Sequence, residues 1–185
     1  MSVIFWSILA LALVPAAAAL ATIHSRSIAP PLVMPPGETF PTTSLQRLVR
    51  RSLALGLVPL VVAGALVAWF GPTAYSNDDA VRLWATGLLL ASVLALAAPT
   101  VLAGVWARRD DDRLDERDRA ILARAPAGQA AAMLVLLAIW TIALTETFPG
   151  EAGVPAVFVN LIFWSCLLVG LLASSVGMLL SYRGS

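Results

Sequence analysis

Apolar positions in this chain come in long blocks, not in a helical or strand period. Five blocks of mostly Leu, Val, Ile and Ala run over residues 3–23, 52–71, 83–107, 128–148 and 156–182, and no block carries a charged residue near its centre. A helix needs about 20 predominantly apolar residues to cross the hydrocarbon core of a bilayer, so each block predicts one spanning helix. Helices apolar on every side suit lipid or the middle of a bundle. The expected fold class is therefore all-α, a polytopic transmembrane helical bundle of five spans.

The polar connections differ in arginine. Residues 24–51 hold Arg26, Arg47, Arg50 and Arg51; residues 108–127 hold Arg108, Arg109, Arg113, Arg117, Arg119 and Arg124; the tail adds Arg183. The connections at 72–82 and 149–155 hold only Arg82. Basic residues near span ends stay cytoplasmic, while acids count for little. The expected orientation has the N-terminus outside and the C-terminus in the cytoplasm. Trp6, Trp69, Trp84 and Phe148 then fall at outer ends and Trp106 and Tyr182 at inner ends, where aromatic rings favour the interface. The first block ends in AAAALA, as a secretory signal can. It has no basic n-region, and cleavage would strand the arginines of 24–51 on the wrong side, so it reads as an uncleaved anchor.

Three domains follow: an anchor at 1–23, a proline-rich cytoplasmic linker and helix start at 24–51, and a four-span bundle at 52–185 with a charged cytoplasmic helix near 110–125. In the linker, APPLVMPPGETFP holds five prolines, which favour polyproline II; a tether is the simpler reading than a ligand for a proline-binding domain. Thr43 with Gln46, and Ser76 with Asp79, have the spacing of a capping box. Pro155 suits the first turn of the last helix. Pro15, Pro59 and Pro99 lie inside spans, where a missing N–H should kink the helix, for packing or for gating.

Composition narrows function by exclusion. A mean hydropathy of +0.87 lies far above that of soluble domains. Every basic side chain other than His24 is arginine, a usage that fits a GC-rich bacterial genome and points to the bacterial cytoplasmic (inner) membrane. The arginines do not gather into one unopposed face, so no nucleic-acid partner is expected. One histidine and one cysteine, His24 and Cys166, cannot make a zinc site or a disulfide. No glycine-rich phosphate loop precedes any helix.

Polar residues inside spans are the first place to look for function. Thr86, Ser92, Thr100, Thr141, Thr145, Ser165, Ser174 and Ser175 can bond the carbonyls of their own helices. Glu146 and Asn160 are costlier, and they are expected to pair across the last two helices near the outer surface, as structural glue or as a proton or ligand site. In GLLASSVG, Gly170 with Ser174 and Ala173 with Gly177 form small-xxx-small pairs that permit close helix approach, and Gly64 with Ala68 offers a similar face. These are seams within the bundle or surfaces for another subunit.

The stretch DDDRLDERDRAILARA, residues 110–125, packs six acids and four arginines into one loop. Read as a helix over 112–125, it has Asp111 or Asp112 as cap, Asp115 and Glu116 in the first turns and Arg124 near the end, complementing the helix dipole. Asp115 and Glu116 lie at helical pair spacings from Arg119. Leu114, Ile121, Leu122 and Ala125 form a broken apolar stripe that can rest on the bundle. Oxygen ligands at Asp110, Asp111 and Asp112 suit a hard cation, but the spacing is not that of an EF-hand and the arginines repel a cation, so no metal is expected.

Between two pairs of spans, LDERDRAILARA resembles a pattern in small, largely uncharacterised bacterial and archaeal membrane proteins. These have four spans and an Asp-Glu-Arg motif in the middle cytoplasmic loop. The resemblance covers residues 52–182, with Asp115, Glu116, Arg117 and Ile121 at the motif positions. It implies architecture and carries no activity across; the first span and the tether depart from it. The expected function is that of a non-catalytic membrane protein acting by association, as an accessory or assembly subunit. Candidate interaction residues are Asp115, Glu116, Arg117, Gly170, Ser174 and Gly177, and the partners are membrane lipids and other membrane subunits. The alternative is a small transporter or channel resting on Glu146 and Asn160. No ligand motif is present; a lipid or pigment held by apolar contacts leaves none, so the cofactor question stays open.

Overall fold

The structure, a computed structural model, describes residues 42–108, 114–148, 153 and 155–183, apart from the side chains at 72, 73, 76, 146, 147 and 183. The expected anchor, Pro15, the proline-rich tether and Asp110, Asp111 and Asp112 lie outside the described residues. Those described fold into four helices: α1 (Ser44–Asn77), α2 (Asp79–Arg108), α3 (Glu116–Thr147) and α4 (Ala156–Arg183). All four are long and apolar enough to cross a membrane, so the chain is a multi-pass membrane protein. At 1.5 Å per residue even the shortest, of 28 residues, is about 42 Å long, against a hydrocarbon core of about 30 Å. The surplus turns carry the charge.

Packing is unequal. α1 lies along α2 and α3 along α4, while α4 also touches α1 and α2 and joins the two pairs. Residues 168–175 of α4 are buried without interruption. A helix enclosed on all sides has no use for an amphipathic stripe, which is why the last block shows none. The other helices turn large apolar side chains outward, among them Leu55, Val58, Leu83, Leu94, Leu134 and Ile142, as lipid contact requires. Trp69 and Trp84 are strongly exposed on either side of the α1–α2 connection, where an aromatic belt belongs.

Two glycines set the closest approaches. A Cβ on Gly56 of α1 would lie 2.6 Å from Leu96 Cγ of α2, and one on Gly170 of α4 would lie 3.0 Å from the Met133 sulfur and from Gln129 Cγ of α3. Close packing at small residues replaces the hydrophobic drive that lipid cannot supply. Gly170 and the buried Ser174 thus serve the bundle's own interior. Gly177 differs: nothing lies within 4 Å of where its Cβ would be, and it lines a small crevice between α3 and α4 with Ala125 and Gly128. On α1 the seam runs through Gly56 and Ala63, while Ala68 of the expected pair is exposed.

Helix boundaries follow local chemistry, with two corrections. Thr43 caps α1 as expected, its Oγ1 accepting from Gln46 N at 3.1 Å. Ser76 does not cap α2, because it still lies within α1; Asp78 does so, its carboxylate accepting from Ala80 N and Val81 N at 2.9 and 3.2 Å. Its charge is also the one that a helix N-terminus favours. The second correction concerns the charged loop: α3 is capped by Asp115, not Asp111 or Asp112, and runs without a break through Pro126 to Thr147. From Glu116 to Ala125 the charged segment is the first turns of a spanning helix, not a separate loop helix. α1 bends at Gly71, whose φ of 81° and ψ of 164° suit only glycine, and Pro72 then opens the final turns with a φ fixed for helix.

Candidate functional site

Asp115 ends the connection from α2 in extended backbone and bends its carboxylate back to accept from Asp118 N at 2.6 Å. That cap fixes the phase of α3. Asp118, Ile121 and Ala125, spaced by three and four residues, then share one face, and Leu114, just before the cap, packs beside them. Leu114 and Ile121 enter an apolar cluster with Leu45 and Val49 of α1, Ala103 of α2 and Met178 and Tyr182 of α4. Asp118 is carried into the same layer and is fully buried.

Such a carboxylate needs donors, and two other helices supply them. Thr43 Oγ1 at the start of α1 donates to Asp118 Oδ1 at 3.1 Å, and the Tyr182 hydroxyl near the end of α4 donates to the same oxygen. The Thr43 hydroxyl has two tasks, since it also accepts from Gln46 N to cap α1. Asp118 Oδ2 is buried and has no hydrogen-bond partner among the described residues. Next to Asp118, Arg117 donates from Nη2 to the Tyr182 carbonyl at 2.9 Å, and its guanidinium lies 5.1 Å from the centre of the Tyr182 ring. A cation on the last carbonyls of α4 complements the negative end of that helix. An acid in the first turn of α3 complements its positive end. The antiparallel pair is held by its charges as well as by its apolar faces.

No family model, curated protein or solved structure matches this chain. Its chemistry has to be read from its own side chains. The Asp-Glu-Arg trio divides by direction: Asp115 is a cap, Glu116 points outward, and Arg117 is half-buried against α4. The residue that organises the junction, Asp118, follows the trio and is not among the candidates marked by the sequence. A signal for it existed, because Asp118 occupies the gap in the apolar stripe of Leu114, Ile121 and Ala125. Tyr182 is likewise not an interfacial anchor but a buried donor.

At the opposite end Asn160 has a partner on another helix, while the expected Glu146–Asn160 pair lies outside the described residues. Asn160 Oδ1 accepts from the Tyr75 hydroxyl at 3.0 Å, and Thr86 Oγ1 lies 3.3 Å from the same hydroxyl; the Glu146 side chain lies outside those described. Tyr75 reaches this position because the bend at Gly71 redirects the last turns of α1 over the bundle. Deeper in, Trp140 Nε1 donates to Ser165 Oγ at 2.9 Å, tying α3 to α4. Ser92, Thr100, Thr141, Thr145 and Ser165 do bond their own helices' carbonyls. Ser174 and Ser175 hydroxyls are buried with no partner among the described residues.

Proposed function

We propose that this chain is a non-catalytic integral membrane protein that works by association, as an accessory or assembly subunit of a larger membrane complex. One observation carries the reading: Asp118 and Arg117 bind the start of α3 to α1 and α4, while the other side of the same turns presents Glu116, Arg119, Ala120 and Ala123 outward. A charged helical face already held rigid loses little further freedom on docking. In this reading the arginine-rich end is cytoplasmic and the membrane is the bacterial inner membrane. The block at 3–23 adds a fifth span with the N-terminus outside, and residues 52–182 belong with the four-span proteins that carry an Asp-Glu-Arg motif. Other membrane subunits are the partners. Transport through Glu146 and Asn160 draws less support, since Asn160 is the acceptor for Tyr75 and the middle of α4 is enclosed on all sides.

The test is co-purification of the full chain in a mild detergent with its native mass measured. The wild type is expected to elute with another membrane protein, and Glu116→Arg combined with Arg119→Glu to lose it while the melting profile is kept. A wild type that runs as a clean monomer, or a double variant that keeps its partner, sinks the proposal.

A further inference from the structure

A second charged feature lies on the same end of the molecule, on the side of α1 and α2. Ser44, Arg47, Leu48 and Arg51 of α1 and Trp106 of α2 line an open groove. Arg47 and Arg51 are one helical turn apart and exposed, and neither has a carboxylate within salt-bridge distance among the described residues. Trp106 closes the groove from α2 while its ring packs on the apolar cluster beneath the junction.

The same face of α1 continues in apolar residues. Counting from Arg47 by turns of four, four, three and four gives Arg51, Leu55, Val58 and Val62, all exposed, and on α2 Leu102, one turn from Trp106, is exposed as well. From Arg51 to Val62 the helix rises about 16 Å, close to half of a hydrocarbon core of about 30 Å. Two cations at the end of a spanning helix, above an apolar strip one leaflet deep, complement the headgroup charge and match the length of a single anionic phospholipid. A small soluble anion would use the arginines and leave the strip without purpose.

We infer that this groove is a binding site for an anionic phospholipid. Its phosphate is held by Arg47 and Arg51 against Trp106, and its acyl chains lie along Leu55, Val58 and Val62. The site does not depend on which side of the membrane the arginine-rich end faces, nor on the association role proposed above.

The full chain, reconstituted in nanodiscs of phosphatidylcholine with a minority of phosphatidylglycerol and released for native mass spectrometry, tests the site. At about fivefold per arginine near an anionic surface, two arginines give a roughly thirtyfold preference for retaining phosphatidylglycerol. Arg47→Gln with Arg51→Gln is expected to reduce that to within about twofold, the level left when both contributions are removed. Arg124→Gln, at the same end but on α3, should leave the preference intact. Equal retention of the two lipids by the wild type overturns the site without any variant having to fold. So does an unchanged preference in the double variant, or its loss in Arg124→Gln. Release of the lipid by millimolar inorganic phosphate would mark a soluble-anion site and also overturn the inference.

Discussion

Tyr182 and Tyr75 sit at opposite ends of the bundle, and each gives its hydroxyl proton to a side chain on another helix. The surroundings differ. Tyr182 meets a buried carboxylate that also accepts from Thr43, so one acceptor joins α1, α3 and α4, with Arg117 stacked on the ring. Tyr75 meets a neutral amide on an exposed residue, with Thr86 beside it. Both tyrosines are buried, yet only one has an acceptor that water cannot reach. Hydrogen bonds to charged groups contribute more than neutral ones, and a buried group left unpaired is costlier than an exposed one. The Thr43–Asp118–Tyr182 junction should therefore be the stronger closure.

The largest effect that can break this comparison is at Asp118. Asp118→Ala removes the acceptor of two hydroxyls and leaves the Tyr182 hydroxyl buried without it. The expected loss is about 3 kcal/mol, from hydrogen bonds to a carboxylate worth about 1.5–3 kcal/mol each, partly offset by Thr43 and Tyr182 turning to each other. Reversible unfolding of the full chain in mixed micelles, followed by far-ultraviolet circular dichroism, measures it. A loss below about 1 kcal/mol, the value of an ordinary neutral bond, would place the two ends on an equal footing.

How much of this was legible in the sequence depends on the length scale of the cause. The four spans at 52–182 were legible because about 20 consecutive apolar residues have few other uses. The Thr43 cap was legible because its partner Gln46 is three residues away. Asp118 was not, because its partners Thr43 and Tyr182 are 75 and 64 residues away, and no local spacing records that contact. Asn160 was marked for a contact with Glu146, and its bond to Tyr75 depends on the bend at Gly71, which a span count does not contain. The small-residue pairs on α4 were found as a pattern; their division between a closed seam at Gly170 and a crevice at Gly177 depends on what α3 sets against each, the long Gln129 and Met133 at Gly170 and the small Ala125 and Gly128 at Gly177.

Thr43 sharpens the comparison because it separates local from distant work. Thr43→Ala removes both the cap of α1 and a donor to Asp118, and a loss of about 2.5 kcal/mol is expected, of which about 1 kcal/mol is the cap and the rest the bond to the carboxylate. Thr43→Ser keeps the hydroxyl for both and should lie within a few tenths of a kcal/mol of the wild type. In a background of Asp118→Ala, Thr43→Ala should cost less than in the wild type, because only the cap and a neutral bond to Tyr182 are left to lose. If its cost is unchanged there, the Thr43–Asp118 bond carries no net stability.

The smallest effect belongs to the other tyrosine, and it bears on what holds the bend in α1. Tyr75→Phe keeps the ring that fills the space between α1, α2 and α4 and removes only the hydroxyl. Its bond to Asn160 is neutral, and Asn160 is exposed enough to turn to water or headgroups when released. Interhelical hydrogen bonds in membrane proteins average about 0.6 kcal/mol, and a loss of that size is expected in the same unfolding measurement. The bend should survive it, because the backbone at Gly71 and the fixed φ of Pro72 set the direction of the last turns before Tyr75 is reached. Spin labels at exposed positions on α1 and α4 near this end should therefore keep their wild-type separation in Tyr75→Phe. A changed separation would mean that the hydroxyl holds the bend in place, and that the closure at this end rests on one neutral bond.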